Sequence, residues 1–274
     1  MKTGLALSGG GALGAAHIGV LEELEKNKIK IDSVCGTSAG AIIGLLYCYG
    51  GVSAVNEFFS EMEKAGLFNR TNIILRRNSL IFSKIEEILT IIVKAKGFSD
   101  LKTQFSCIAT DITTGEMKHF SLGEPIKAVM ASSAYPGVFP VQKIGNNFYV
   151  DGGLVKNLPA SILKKSGMEF IVGSSLYCIN TYDRLNNNGD FRANPLSIAL
   201  RSLEIMEKQL AESEKTSCDF CFEPPVHSFQ WFDFDAVYEI REIGAKNAEE
   251  NSPELQKTIK RKNHKESLLE RIFQ

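Results

Sequence analysis

The sequence predicts an α/β protein whose core is a mostly parallel sheet. Three observations predict it. Short apolar runs alternate with stretches of helical periodicity from the first residues onward, the strand–helix–strand–helix order of a βαβ unit. The first two strands each run into a glycine-rich turn, Gly9–Gly14 and Gly36–Gly40. Further short apolar runs recur downstream with helical stretches between them.

The elements follow in order. Thr3–Leu7 is apolar and too short for a helix, hence a buried strand. After the glycines, Ala15–Lys26 places Ile18, Leu21 and Leu24 on one stripe and Glu22, Glu23, Glu25 and Lys26 outward, as a helix does. Ile31–Cys35 is a second strand, and "AIIGLLYCYGG" a buried helix ended by Gly50 and Gly51. Val52–Leu67 is a further helix, and Ile85, Ile88, Leu89 and Ile92 give another a greasy face. Phe105–Thr110 and Lys118–Ser121 read as strands and Pro125–Ser132 as a helix. Asn147–Val150 is a strand running into Asp151-Gly152-Gly153, Ala160–Lys165 a short helix, and "FIVGSSL" a buried strand. Tyr182–Asn194 is polar and turn-rich, a loop; Leu196–Ser217 has helical spacing; from Ala245 the chain is charged. No repeat or linker divides it, so residues 1–274 read as one domain with a helical, charged part at 196–274.

The 274 residues suffice for a sizeable core, and a formal net charge of -1 gives no global field for nucleic acid. Cys35, Cys48 and Cys107 lie in apolar surroundings, as buried thiols do. Cys218 and Cys221 form a C-x-x-C without a second pair at zinc spacing, which reads as two reduced thiols; Cys178 stands alone. A disulfide scaffold does not fit this length, so a reducing compartment is expected. The N-terminal apolar stretch, broken by Ser8 and three glycines, reads as structure rather than a leader. No run reaches the roughly 18 uninterrupted apolar residues of a spanning helix, and a cytoplasmic protein is the default expectation.

Gly36-Thr37-Ser38-Ala39-Gly40 is G-x-S-x-G at a strand-to-helix junction, the setting of a nucleophile elbow. The glycines give room where the chain doubles back, and the following helix aims its N-terminus at the serine, where negative charge is stabilised. Gly9–Gly14 fits G-x-G-x-x-G, the dinucleotide fingerprint, but the acid such a unit needs at the end of its second strand is missing: Asp32 begins that strand. A glycine run beside a serine turn supplies instead the main-chain amides of an oxyanion hole. None of the four histidines, His17, His119, His227 and His264, has a context that marks it as the base. Asp151, presented at a strand end before two glycines, does, although a D-G turn has a plain structural reading as well.

Taken together, "SGGGALG" (8–14), "GTSAG" (36–40) and "DGG" (151–153) resemble the blocks of the patatin-like phospholipases, as do "ATDITTGE" (109–116) and "ASSAYPGVFP" (131–140). The resemblance spans residues 3–176. It implies a three-layer sandwich with a mostly parallel central sheet, related to the α/β-hydrolases, and a Ser–Asp dyad without histidine. Ser38 would be the nucleophile and Asp151 the base. Amides at Gly9, Gly10, Gly11 and Ala39 would bind the oxyanion, and Gly14, Gly36, Gly40, Gly152 and Gly153 would shape the turns. A lipid or other acyl ester would be the substrate, with no metal or cofactor and no nucleic acid. Leu13 departs from the pattern, standing where the family usually has Arg or Lys.

A carboxylate of ordinary pKa ~4 is a weak base for an alcohol, so the dyad needs a site that excludes water. Tyr135–Pro140 and the helix at Ile85–Val93 are the expected apolar walls. Two other readings compete: a weakly catalytic lipid- or acyl-binding regulator, supported by Leu13, and a dinucleotide-binding domain. Peripheral membrane contact has two candidates, the helix Lys84–Lys96 and the run "KTIKRKNHK"; their plainer readings are a core or lid helix and a solvated face. Oligomeric state has no signature in the sequence.

Overall fold

A computed structural model describes residues 1–68, 78–176 and 195–272. Its sheet has eight strands: β1 (Thr3–Leu7), β2 (Ser33–Thr37), β3 (Gln104–Asp111), β4 (Met117–Phe120), β5 (Gln142–Ile144), β6 (Asn147–Asp151), β7 (Phe170–Ser174) and β8 (Phe220–Phe222). They pair in the order β5-β6-β3-β2-β1-β7-β8, with β4 also on β3. The pairs among β3, β2, β1, β7 and β8 are parallel; β4, β5 and β6 run antiparallel to their partners.

Side-chain alternation along the strands covers both faces, as parallel sheets require. Leu5, Leu7, Val34, Cys107, Phe170 and Val172 point to one face. There they meet α1 (Ala15–Lys26), α2 (Ala39–Lys64) and α3 (Asn78–Ile92) through Leu21, Leu45 and Leu89, each fully buried. Ala6, Cys35, Ile108 and Ile171 point to the other face, against Ile162 and Leu163 of α5 (Ala160–Lys165) and Ala211 of α6 (Pro195–Lys215). The result is the expected three-layer sandwich. Helix α4 (Pro125–Ser132) packs beside β3, and α7 (Val237–Ile272) lies along α1.

Several boundaries differ from the sequence reading. β2 starts at Ser33 rather than Ile31 and runs to Thr37, so the turn after it is compressed onto Ser38. The helices expected on either side of Gly50-Gly51 form one element broken at Gly51, whose φ of 69° and ψ of −164° leave the helical region. By length and composition α2 would suit a bilayer, yet Ile43, Leu45, Leu46, Val55 and Phe58 are buried inside the protein. Helix α3 also buries its greasy face, which stacks Phe82 on Phe139 with ring centroids 4.8 Å apart. That face therefore belongs to the core. Strands β5 and β8 and the full extent of α7 have no counterpart in the sequence reading. Cys35, Cys48 and Cys107 are buried free thiols, and Cys218 and Cys221 are free and half-buried. The loop expected at 182–194 and Cys178 lie outside the described residues.

One feature of the sheet places the site. Cys107 pairs with both Gly36 and Phe120, so β2 and β4 flank opposite edges of β3. Ala109 pairs with both Lys118 and Asp151, so β4 and β6 are opposite too. Strands β2 and β6 therefore share one edge of β3 and approach each other head to head. Thr37 sits against Ile108, and Asp151 against the next residue, Ala109.

Candidate active site

Ser38 caps the N-terminus of α2 with φ 54° and ψ −123°, a conformation that L-residues rarely adopt. The sequence forces the bend locally. A Cβ on Gly36 would collide with the carbonyl of Gly40, and one on Gly40 with the carbonyl of Leu7. Neighbours then clamp it. Ser38 N donates to Ser132 Oγ at 2.9 Å, and Ser132 in turn donates to the Ile108 carbonyl at 2.5 Å. Ser133 Oγ donates to the Ser38 carbonyl at 3.2 Å, and Thr37 Oγ1 to the Lys156 carbonyl at 2.9 Å.

Asp151 ends β6 and is 1 % exposed. Its Oδ1 accepts from Gly153 N at 2.8 Å, while Oδ2 is buried without a well-formed hydrogen bond. Burial pushes the carboxyl up to about 7; the Ser38 hydroxyl, its nearest side-chain influence, and the Gly153 amide pull the other way. Gly152 and Gly153 keep the turn close-packed: a Cβ on Gly152 would collide with the Ile108 carbonyl, and one on Gly153 would stand 2.6 Å from Glu207 Oε1.

The glycine loop lies against the elbow. A Cβ on Gly9 would be 3.2 Å from Ser38 Cβ, and one on Gly14 2.8 Å from Ala39 Cβ. Gly10 and Gly11 have φ of 154° and 58°. Gly9 N donates to the Asn157 carbonyl at 3.3 Å, so this expected oxyanion donor is already engaged. The amides of Gly10, Gly11 and Ala39 have no such partner among the described residues. Asp32 sits at the far end of the sheet, accepting from Thr3 N at 2.9 Å. The acid that the dinucleotide reading offered, Asp32, is therefore remote from the glycine loop.

A pocket of about 940 Å³, open mouth included, joins these pieces; Gly9, Gly10, Gly11, Ser38 and Asp151 all line it. Tyr135 and Phe139 form part of its wall as expected, but the helix at 85–93 does not. Its apolar role falls to Leu13, Leu176, Phe229, Trp231 and Phe234. Leu13, 6 % exposed, thus adds greasy surface where a cation was expected. The facing wall is charged, with Arg201, Glu204, Glu207 and Lys208 of α6. None of the four histidines lines the pocket. His17 is fully buried and its pKa is lowered to about 4 by desolvation; Nε2 donates to the Ser8 carbonyl at 2.9 Å and Nδ1 accepts from Ser174 Oγ at 2.8 Å. It ties the glycine loop to β7 as a neutral ring.

The sequence reading missed Asn157, Trp231 and the charged wall. Asn157 follows the D-G-G turn within "LVKNLP", and Trp231 is the single tryptophan, set among phenylalanines. Both were visible signals. Glu207 and Lys208, 3 % and 7 % exposed, look in sequence like any solvated helix face.

Comparison with known proteins adds four findings. A family model described as patatin-like phospholipase matches residues 5–164. A patatin-like phospholipase domain-containing protein of Caenorhabditis elegans is 30% identical over 92% of this chain and 20% of its own length. Lysophospholipase NTE1 of Meyerozyma guilliermondii is 28% identical over 90% of this chain and 19% of its own length. The chain thus spans about a fifth of these relatives. The solved structure of VipD from Legionella pneumophila superposes with a TM-score of 0.43 at 15% identity, covering 73% of this chain and 52% of that one.

Proposed function

The chain belongs to the patatin-like phospholipase family, and from that membership we propose that it hydrolyses lipid acyl esters through Ser38 and Asp151. The observation that carries the reading is a strained serine at a helix N-terminus sharing one pocket with a carboxylate that is 1 % exposed and raised by its burial. Asp151 takes the proton of Ser38 Oγ as that oxygen attacks the ester carbonyl. A carboxyl near 7 is a far better acceptor than an exposed one, and desolvation is what raises it. The developing oxyanion is held by the amides of Gly10, Gly11 and Ala39, aided by the α2 N-terminus; one such donor is worth about 3–4 kcal/mol. Asp151 then returns the proton to the leaving alcohol. Water deprotonated by the same carboxylate releases the fatty acid and restores Ser38.

The apolar walls suit an acyl chain, and the charged face of α6 suits a polar head. The test is fatty-acid release from lysophospholipid and monoacylglycerol by wild type, Ser38→Ala and Asp151→Asn, beside labelling by a fluorophosphonate. Both variants should fold normally and lose at least 1000-fold in rate, about the scale of removing a nucleophile or its base. Ser38→Ala should also escape the label. Undiminished hydrolysis by Ser38→Ala overturns the reading.

A further inference from the structure

The C-x-x-C motif has no part in the cleavage chemistry above. Its two thiols, Cys218 and Cys221, are free and half-buried. Cys218 lies just past the end of α6, and Cys221 lies in the middle of β8, opposite Gly173 of β7. Their sulfurs converge on that glycine. A Cβ on Gly173 would stand 2.7 Å from Cys218 Sγ and 2.9 Å from Cys221 Sγ, so the two sulfurs share the space that a side chain there would fill. The backbone between them is held in place. Asp219 N donates to the Ile171 carbonyl at 2.9 Å, and Ile171 N donates to Asp219 Oδ2 at 2.8 Å. Lys215, the last residue of α6, pairs with Glu223, just beyond β8, and so spans the motif. A hydrogen bond with Cys218, and then burial, hold the Cys221 thiol well above the usual thiol range.

We propose that Cys218 and Cys221 form a thiol–disulfide exchange site, which a low-molecular-weight disulfide such as oxidised glutathione closes into an intramolecular bond. Cys218 leads, because Cys221 holds its proton more tightly. The Cys218 thiolate attacks one sulfur of the glutathione disulfide; a new S–S bond forms to Cys218, and one glutathione leaves as its thiolate. Cys221 then gives up its proton and attacks Cys218 Sγ, and the second glutathione leaves. The two protein thiols lose two electrons, one glutathione disulfide is reduced to two thiols, and the two thiol protons end on the two glutathiones. The second step draws on the fold, which has already brought the sulfurs together. The closed bond staples the end of α6, the helix that walls the pocket, to β8, the outermost strand beyond β7. Cys35, Cys48 and Cys107 are 0 % exposed and stay outside this chemistry.

The experiment equilibrates the full chain with graded ratios of reduced to oxidised glutathione, once folded and once in denaturing guanidinium chloride. An acid quench and alkylation of the remaining thiols follow. The tryptic peptide 216–241 contains both cysteines and no other, so its unalkylated mass reports the closed form. The equilibrium constant for closure should be roughly tenfold or more higher in the native chain than in the denatured one, since the fold holds the sulfurs together. Gly173→Ala, which sets a Cβ against both sulfurs, should bring the native constant down toward the denatured one. An equal or lower constant in the native wild type overturns the proposal, because the fold then keeps the sulfurs apart. A folded Gly173→Ala variant that closes as readily as wild type overturns it too.

Discussion

At φ 54° Ser38 carries strain that its surroundings must impose, and the bonds from Ser132 and Ser133 and the close backbone of Leu7 impose it. Asp151 bears the opposite burden, a carboxyl buried against its preference. Two outcomes follow from its raised pKa. As the proposed base it must be ionised, so kcat/KM should climb with pH through about 7 and level off above it, read from initial rates between pH 5 and 9. For stability the sign is inverted relative to an ordinary carboxylate. The folded value exceeds the reference 3.8, so the native chain holds this proton more tightly than the unfolded chain does. Its contribution to folding is full at acid pH and fades as pH rises from about 4 through about 7. Asp151→Asn should accordingly melt higher than wild type at pH 8, with the gap closing toward pH 4 in thermal scans. His17→Asn tests the other half of the assignment. Losing either hydrogen bond should cost about 1–3 kcal/mol and lower Tm, while well below that Tm the variant keeps most of its hydrolytic rate. A loss as deep as that of Ser38→Ala would require a triad.

Among the elements, α1 and α7 pack backbone to backbone. Gly19 has no room for a Cβ against Ala245, nor Gly244 against Ala16, so the two backbones touch through small residues on both sides. Gly244→Ala should force them apart, destabilising the protein by about 1–3 kcal/mol and exposing α7 to proteases, as a denaturant titration and limited proteolysis would record. This packing could not be read from the sequence, where α7 is a charged stretch interrupted by Pro253 with little apolar pattern to mark a helix. Strand β8 was equally hidden: its three residues owe their conformation to the edge of β7, a contact nearly 50 residues away in the chain. The elements that were legible, such as α1, α4 and α5, carry their own apolar stripe or turn signals and match to the residue. The displaced start of β2 has the same origin. Ile31 is apolar and buried, but the parallel register with β1 begins only at Ser33.

On the scale of the whole molecule, the pocket is assembled from segments far apart in the chain, and its charged wall depends on how α6 is fastened. Glu214 near the end of α6 pairs with Lys156 at 2.5 Å and accepts from Ser161 N at 2.8 Å, tying the helix to the stretch just beyond the Asp151 turn. Glu214→Ala leaves Lys156 mostly buried without its counter-charge. It should cost about 1–3 kcal/mol in denaturant unfolding and lower kcat/KM, since Glu207 and Lys208 ride on the same helix. The turns and their order were plain in the sequence because glycine, serine and aspartate there answer to local geometry. The walls were not, because whether Glu207 faces water or a cavity is decided by what packs opposite. How the serine and aspartate meet was equally beyond local reading, and it follows from two strands ending nose to nose along β3. Ser38 and Asp151 both hang from a single rail. One extra residue between Ile108 and Ala109 would slide acid from alcohol by roughly 3.3 Å, too far for a proton to hop, and leave an intact sandwich around an inert crevice.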